Sequence, residues 1–352
     1  EPFMSAIPIS TDPALLQAEA DHFKQEFANV REAVGRVIVG QGRVIEAALT
    51  AIFCGGNVLL EGVPGLGKTE LVKALSRVLD LEFRRIQFTP DLMPGDILGS
   101  NLFNFQTSQF TLTRGPIFCD LLLADEINRT PPKTQAALLE AMQEHRVTIQ
   151  GRTYDLQEPF YVFATQNPIE LEGTYPLPEA QLDRFMFNIV IEHPPLEEEL
   201  EVVRTTTAIL EPSFNRPVSG PDLIAFQRLV RRVPVSDAVL RYALGIVRTS
   251  RPKSPDAPES IKKYAAFGAS VRAAQYLILG AKARALLAGR AHVTVEDIQA
   301  LAAPVLRHRL LVPAGLVDRQ HPRPRAGREI DRVVAGAIGR DHQQVRRALG
   351  LT

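Results

Sequence analysis

The stretch GVPGLGKT has the spacing of a phosphate-binding loop: Gly62, four residues, Gly67, Lys68 and Thr69. Glycines let backbone N–H groups turn toward a phosphate, and the start of the next helix adds a favourable dipole. In this pattern the lysine reaches the β- and γ-phosphates and the threonine hydroxyl binds Mg²⁺. The alternative is an ordinary glycine-rich turn. The candidate contacts are Val63, Pro64, Gly65, Leu66, Gly67, Lys68, Thr69 and Glu70.

Two adjacent acids suit a metal-dependent hydrolysis. The run LLLADE ends in Asp125 and Glu126. Asp125 would hold Mg²⁺ through water at the end of a buried strand, and Glu126 would polarise a water for in-line attack. The acids could instead simply begin the next helix, where acidic side chains are common. We favour the catalytic interpretation because the apolar strand places both acids at the carboxyl edge of a sheet, where ligands bind in such folds.

Two further polar residues follow later strands or helices. Asn167 ends the run FATQN and could hydrogen-bond both the attacking water and the γ-phosphate, or could be a turn residue before Pro168. Arg184 stands beside Asp183 in LDRF. It could complete this site, serve the site of another molecule, or pair with Asp183 at a helix end. The choice decides whether the chain works alone or in a ring.

The elements that must position these residues alternate along the chain. Nearly continuous apolar runs between helical patterns predict a parallel sheet covered on both faces. Two further segments, 99–115 and 145–157, alternate apolar and polar residues around a polar centre and predict hairpins before the third and fourth strands. The five predicted strands are 57–62, 82–88, 119–126, 160–166 and 185–192.

The pattern becomes entirely helical after the break HPP at 193–195, so we place a domain boundary near Pro194. Within this part, TVED at 294–297 has the form of a helix capping box, although the usual third residue after the cap is Glu or Gln.

Composition restricts the class of protein. The 352 residues include 40 basic and 40 acidic side chains, so the formal net charge is zero and no global field favours nucleic acid. From Leu306 onward arginines outnumber acids, which indicates either a solvated surface or a local nucleic-acid patch.

Cys54 and Cys119 lie in apolar stretches and predict buried thiols in a reducing compartment. With no run long enough to span a membrane and no visible signal peptide, we expect a cytoplasmic protein.

The order of these features resembles an AAA+ ATPase, and longer stretches resemble the MoxR family over about residues 30–310. The resemblance implies a P-loop α/β core whose five-stranded parallel sheet has the order 5-1-4-3-2, two β-hairpin insertions shared with magnesium chelatase, and an all-α lid. From the break at 193–195 and the extent of the resemblance together, we predict an N-terminal helical extension at 1–29, a core at 30–194, a lid at 195–312 and a Pro/Arg-rich tail at 313–352. The stretches that carry it are GVPGLGKT, LLLADEINRTPPKTQAALLEAMQE, ATQNPIELEGTYPLPEAQLDRFM and FGASVRAAQYLILGAKARALLAGR.

The resemblance also implies roles for individual residues. Val39 and Gly40 would line the adenine pocket through their backbone. Asn167 would be a first sensor of the γ-phosphate, and Arg272 a second sensor on the lid of the same subunit. Arg184 would be a finger that reaches the ATP of the neighbouring subunit, which suits its place before an edge strand.

One alternative role and two departures from the family pattern stay open. Arg272 could be a solvent-facing arginine on a lid helix. Val271 stands where the family usually has proline, and the tail departs from the expected pattern.

The implied function is an oligomeric ring, commonly a hexamer, that uses ATP and Mg²⁺ to remodel protein partners. Such partners often contain von Willebrand factor A domains, and cofactor or metal insertion is a frequent outcome. The alternatives are a nucleic-acid motor, a motor subunit like that of magnesium chelatase, and a nucleotide-gated scaffold without hydrolysis. Zero net charge and the lack of a nucleic-acid module argue against the first.

Overall fold

The computed structural model describes residues 13–104, 109–167, 173–207 and 218–310. The turn of the first predicted hairpin, Pro168 and the Pro/Arg-rich tail lie outside the described residues. The strands are β1 (Val58–Glu61), β2 (Phe83–Gln87), β3 (Gly99–Asn104), β4 (Gln109–Arg114), β5 (Leu121–Asp125), β6 (Arg146–Ile149), β7 (Arg152–Asp155), β8 (Tyr161–Gln166) and β9 (Phe187–Val190).

Helices surround these strands, and 3₁₀ turns occupy Ile127–Arg129 and Arg307–Arg309. The helices are α1 (Pro13–Gly35), α2 (Gly42–Cys54), α3 (Lys68–Val78), α4 (Pro94–Leu98), α5 (Pro132–Glu144), α6 (Glu179–Leu182), α7 (Leu196–Thr206), α8 (Gly220–Arg232), α9 (Asp237–Thr249), α10 (Glu259–Tyr264), α11 (Val271–Leu287) and α12 (Val295–Leu306).

The central sheet confirms the predicted strand order. Its five parallel strands run β2-β5-β8-β1-β9, which is the order 5-1-4-3-2 when the hairpin strands are left out of the count. All five residues of β5 are buried because side chains on both of its faces enter a core. Leu121 and Leu123 join one hydrophobic cluster with α1–α3 and the lid. Leu122 and Ala124 join the other, with α5 and the hairpins.

Both predicted hairpins are present, and they touch each other. β3 pairs with β4 and β6 with β7, each antiparallel. The buried Asn101 of β3 donates to the Ile149 carbonyl at 3.4 Å and accepts from the Tyr154 hydroxyl at 3.2 Å. A polar side chain satisfied in this way fixes one hairpin against the other, since breaking the contact would leave its amide unpaired in the protein interior.

The lid helices α7–α12 follow β9, and several of them pack against the core. A Cβ atom on Gly280 of α11 would lie 2.7 Å from Leu301 of α12 and 3.2 Å from Phe187 of β9. Glycine at this position therefore permits a close approach of lid and sheet. The capping box predicted at Thr294–Asp297 begins α12 as expected.

Helix α1 belongs to the same core. The ring of Phe23 lies 5.3 Å from that of Phe53 in α2 and 5.4 Å from that of Phe226 in α8, both edge to face. The helix is continuous from Pro13 to Gly35 and so runs through position 29.

The two cysteines are free and buried, as predicted. Burial raises the pKa of both thiols, to about 12 for Cys119. No helix among the described residues is long and apolar enough to cross a bilayer.

Candidate functional site

The loop between β1 and α3 has the backbone that phosphate binding requires. Gly65 and Gly67 have φ angles of 87° and 75°, a left-handed conformation that glycine adopts without strain. Gly67 caps α3, which begins at Lys68, so the positive end of that helix faces the loop. The Lys68 ammonium donates to the carbonyl oxygens of Gly62 and Val63, the latter at 3.3 Å.

A cleft forms where this loop meets the carboxyl ends of two strands. Because β1 and β5 both pair with β8, residues that follow these strands are brought to one edge of the sheet. Asp125, Glu126 and Asn167 therefore join the phosphate loop, whereas Val63 and Leu66 are not among the lining residues. The lining comprises Pro64, Gly65, Gly67, Lys68, Thr69, Glu70, Asp125, Glu126, Thr165 and Asn167.

Asp125 is held by two side chains that the sequence interpretation missed. Its Oδ1 accepts from the Thr165 hydroxyl at 2.6 Å, and Thr165 Oγ1 in turn accepts from the backbone N–H of Glu126 at 2.8 Å. The Oδ2 atom of Asp125 accepts two hydrogen bonds from Arg85 of β2, one from Nε at 3.0 Å and one from Nη2 at 2.7 Å. These contacts orient the carboxylate at the cleft. Thr165 carries a usable signal because it lies two positions before Asn167 on a predicted strand.

Glu126 has a strained backbone and a carboxylate held in place. Its φ and ψ are 57° and 48°, a left-handed conformation that costs a non-glycine residue about 1–2 kcal/mol. Such strain clusters at functional sites. Its Oε2 accepts from Gln87 Nε2 at 2.7 Å and lies 3.0 Å from Arg129 Nε. The sequence interpretation missed both of these partners. Gln87 reaches Glu126 because β2 pairs with β5 and places Gln87 opposite Asp125, the residue before Glu126.

The two arginines of the expected site lie apart from this cleft. Arg184 donates from Nη1 to the Leu139 carbonyl of α5 in its own chain. Arg272 Nη1 lies 3.2 Å from Asp183 Oδ2, at the residue before Arg184. Neither arginine is among the lining residues of the cleft. The structure thus brings the two arginines to one neighbourhood, around Asp183, and not to the phosphate loop of the same chain.

Val39 and Gly40 lie between the phosphate loop and the lid. The next residue, Gln41, donates from Nε2 to the Leu66 carbonyl at 3.1 Å. Gly40 has φ 76°, and a Cβ atom there would lie 2.4 Å from Glu198 Oε2 at the start of α7. A side chain at position 40 would therefore strain the backbone and force the Glu198 side chain to move.

Comparisons with known proteins agree with this geometry. The family model described as "ATPase family associated with various cellular activities (AAA)" matches residues 57–187, and that of the AAA lid domain matches residues 259–332. "Chaperone MoxR1" of Mycobacterium tuberculosis is 44% identical over 279 residues, which cover 79% of this chain and 74% of that protein. The chain belongs to the MoxR family of AAA+ ATPases.

Two further matches extend over most of the chain. The uncharacterized protein YeaC of Bacillus subtilis is 44% identical and covers 80% of this chain, with 85% of its own length matched. The crystal structure of a candidate ATPase from Cytophaga hutchinsonii has a TM-score of 0.81 at 40% identity, covering 91% of this chain and 98% of that one. Membership of this family identifies the chain as an ATPase with an AAA+ core and a helical lid, and both expectations are confirmed.

Proposed function

We propose that the chain hydrolyses Mg²⁺-bound ATP in the cleft at the phosphate loop and uses the cycle to remodel protein partners. The observation that carries this proposal is the convergence of Lys68, Asp125, Glu126 and Asn167 on one cleft at the sheet edge. These residues come from three separate segments, so their meeting is a property of the fold and not of the sequence spacing.

The donor set of the cleft fits a metal-bound triphosphate. The hydroxyl of Thr69 and the carboxylate of Asp125 line one cleft and are hard oxygen ligands of the kind that Mg²⁺ prefers. When bound, the ion neutralises charge on the β- and γ-phosphates. The start of α3 and Lys68 supply positive charge to the same oxygens.

The remaining cleft residues would act on the attacking water. Glu126 would orient it and draw on its proton during in-line attack, and Asn167 would hydrogen-bond both the water and the γ-phosphate. Gln87 and Arg129 hold the Glu126 carboxylate from the side of β2 and the 3₁₀ turn. Val39 and Gly40 would contact the adenine through their backbone.

The proposal places the complete site between subunits of a ring, most simply a hexamer. Two observations support it: Arg184 does not line the cleft of its own chain, and β9, which follows Arg184, is an edge strand of the sheet. Arg184 would then reach the ATP of a neighbouring subunit. Arg272 would sense the γ-phosphate of the ATP bound by its own chain. Because Arg272 lies at Asp183 and outside that cleft, this role requires the lid to turn toward the phosphate loop. The same proposal includes a core at 30–194, a lid at 195–312 and a cytoplasmic location.

The metal requirement can be measured directly. We expect Thr69→Ala to raise the Mg²⁺ concentration for half-maximal ATP turnover by about tenfold or more, because a metal ligand is lost, and EDTA to abolish turnover of the unmodified chain. Thr206→Ala is the matched control, since Thr206 is exposed, lies outside the lining of the cleft and donates from its hydroxyl to the Val202 carbonyl of its own helix. An unchanged Mg²⁺ requirement in Thr69→Ala would remove Thr69 from the metal site.

The partners that we propose are proteins, often with von Willebrand factor A domains, which the ATPase would help to mature, including by cofactor or metal insertion. A chaperone among the relatives supports this class. The two linked hairpins would contact the partner, because each is a two-stranded sheet separate from the central sheet and neither contributes a lining residue to the nucleotide cleft.

Shortening the second hairpin tests this role. Deletion of residues 148–154 removes the Ile149 carbonyl and the Tyr154 hydroxyl, and with them both contacts to Asn101. We expect basal ATP turnover to stay within about twofold, because the cleft is untouched, and stimulation of turnover by a purified von Willebrand factor A domain to be lost. Stimulation that survives the deletion would exclude a role for this hairpin in partner contact.

A further inference from the structure

Side chains of the lid form hydrogen bonds with the backbone of the segment that carries Arg184. Four consecutive carbonyl oxygens, at positions 183–186, all accept hydrogen bonds from side chains of α11 and the 3₁₀ turn at the end of the lid. Backbone groups of a connecting segment more often bond to water or to their own neighbours. The donor–acceptor pairs are Arg309 Nη2 to Asp183 O at 2.8 Å, Tyr276 Oη to Arg184 O at 3.1 Å, Arg309 Nη2 to Phe185 O at 2.6 Å and Arg309 Nη1 to Met186 O at 3.5 Å.

Arg309 is the centre of this contact. Only 2% of its side chain is exposed, and its Nε donates to Asp183 Oδ1 at 2.8 Å. Its guanidinium also lies 5.2 Å from the centre of the Tyr276 ring. All three guanidinium nitrogens therefore have partners. A buried charge is costly unless it is paired and fully hydrogen-bonded, so this geometry has little freedom to loosen.

These hydrogen bonds join the lid to backbone carbonyl oxygens and not to the Arg184 side chain. The lid holds the carbonyl oxygens of residues on both sides of Arg184, while the Arg184 guanidinium itself contacts the Leu139 carbonyl of α5. Asp183 extends the connection, since its Oδ2 accepts from Ser270 Oγ at 2.9 Å and from Arg272 Nη1 at 3.2 Å. The backbone of Arg184 thus belongs mechanically to the lid, although the residue is part of the core sequence.

We infer that Arg309 is a positioning residue for Arg184: it fixes, from the lid, the backbone from which the Arg184 guanidinium must reach a nucleotide. The inference rests on the proposed role of Arg184 in ATP hydrolysis. Its consequence is that a movement of the lid against the sheet carries Arg184 with it. The nucleotide state sensed by one lid would then reach the site that Arg184 serves.

The test compares Arg309→Lys, Arg184→Ala and the double variant in steady-state and single-turnover assays with radiolabelled ATP. Lysine keeps a charge beside Asp183 but has one nitrogen in place of three, so it cannot hold the same set of acceptors. We expect kcat of Arg309→Lys to fall about 10- to 100-fold, as for a misplaced catalytic group, with KM for ATP within about twofold. The double variant should be no slower than Arg184→Ala alone, because both changes remove the same contribution.

Three outcomes would overturn the inference. If Arg309→Lys retains its kcat while Arg184→Ala loses it, only the positioning role fails. If the two losses multiply in the double variant, Arg309 acts by a route other than Arg184. If Arg184→Ala retains full turnover, the proposed role of Arg184 fails and the inference fails with it, so the two failures are told apart.

A second variant separates positioning from stability, because replacement of the buried Arg309 also weakens the fold. Tyr276→Phe removes only the hydroxyl that bonds the Arg184 carbonyl and keeps the ring beneath Arg309. We expect a fall in kcat of about three- to tenfold, and no further fall when Arg184 is already alanine. Arg241→Lys, at an exposed position of α9, is the matched control and should leave kcat unchanged. An unchanged kcat in Tyr276→Phe beside a slowed Arg309→Lys would assign the loss in Arg309→Lys to weakened folding and would overturn the positioning role.

Discussion

Replacing Glu126 with glutamine lowers the kcat of ATP hydrolysis by about 10²–10⁴-fold, the usual contribution of a general base, and leaves nucleotide affinity within a few-fold. Glutamine has nearly the same shape, so it can line the cleft and still accept a hydrogen bond from Arg129. What it loses is the charge that draws the proton from the attacking water. Turnover by phosphate release and affinity from a fluorescent ATP analogue measure the two effects separately.

The control for this prediction is Glu140→Gln, the same chemical change at an exposed position of α5. It should change neither kcat nor affinity. A Glu126→Gln variant that retains most of its turnover would show that another group activates the water. Loss of nucleotide affinity together with turnover would instead make Glu126 a structural residue, as its strained backbone and its bond from Gln87 would then suggest.

Arg184→Ala should lower turnover by about 10³–10⁵-fold, the effect of removing an arginine that stabilises the developing charge of phosphoryl transfer. Lys68→Ala should be similarly inactive because the phosphates lose the positive charge of the Lys68 ammonium. A mixture of the two inactive variants should regain activity if the site is shared. In a ring mixed at random from equal amounts of the two variants, with head-to-tail interfaces, about a quarter of the interfaces pair an intact loop with an intact finger. The regained turnover therefore cannot exceed about a quarter of that of the unmodified ring.

Mixing the unmodified chain with Lys68→Ala subunits is the necessary control, because it shows whether one inactive site stops the others in a ring. If that mixture stays active in proportion to its intact subunits and the two variants co-assemble without regaining turnover, Arg184 acts within its own chain or only supports the local structure. The Arg184 contact with the Leu139 carbonyl would then be its principal role.

Local features of the sequence were enough to predict the site on one edge of the sheet. The phosphate loop is a set of consecutive residues, and the apolar runs before Asp125 and Asn167 predict strands that end where ligands bind in parallel sheets. The predicted strand order, taken from the family resemblance, is confirmed by the pairing of β1 with β8 and β9. The site prediction depends on short stretches of chain and a motif of fixed spacing, whereas the strand order depends on a resemblance over most of the chain.

The partners of Asp125 and Glu126 could not be predicted from the sequence in the same way. Gln87 reaches Glu126 only because β2 lies beside β5 with Gln87 opposite Asp125, and Arg85 reaches Asp125 from the same strand. In the sequence, Arg85 and Gln87 are simply polar residues of an alternating strand, and their position gives no sign of which acids they will face.

What the sequence by itself determined is the chemistry that the cleft can hold: a phosphate loop, two acids and a polar residue at strand ends. What only the tertiary structure decided is which groups the arginines contact. Arg309 Nε donates to Asp183 Oδ1, 126 positions away in the chain, and Arg309 Nη2 donates to the carbonyl oxygens of Asp183 and Phe185 on either side of Arg184. Motifs are visible in a sequence because they are short and their geometry follows from local backbone conformation. Contacts between a lid and a core depend on how both domains pack, and their residues share no spacing that a sequence pattern could reveal.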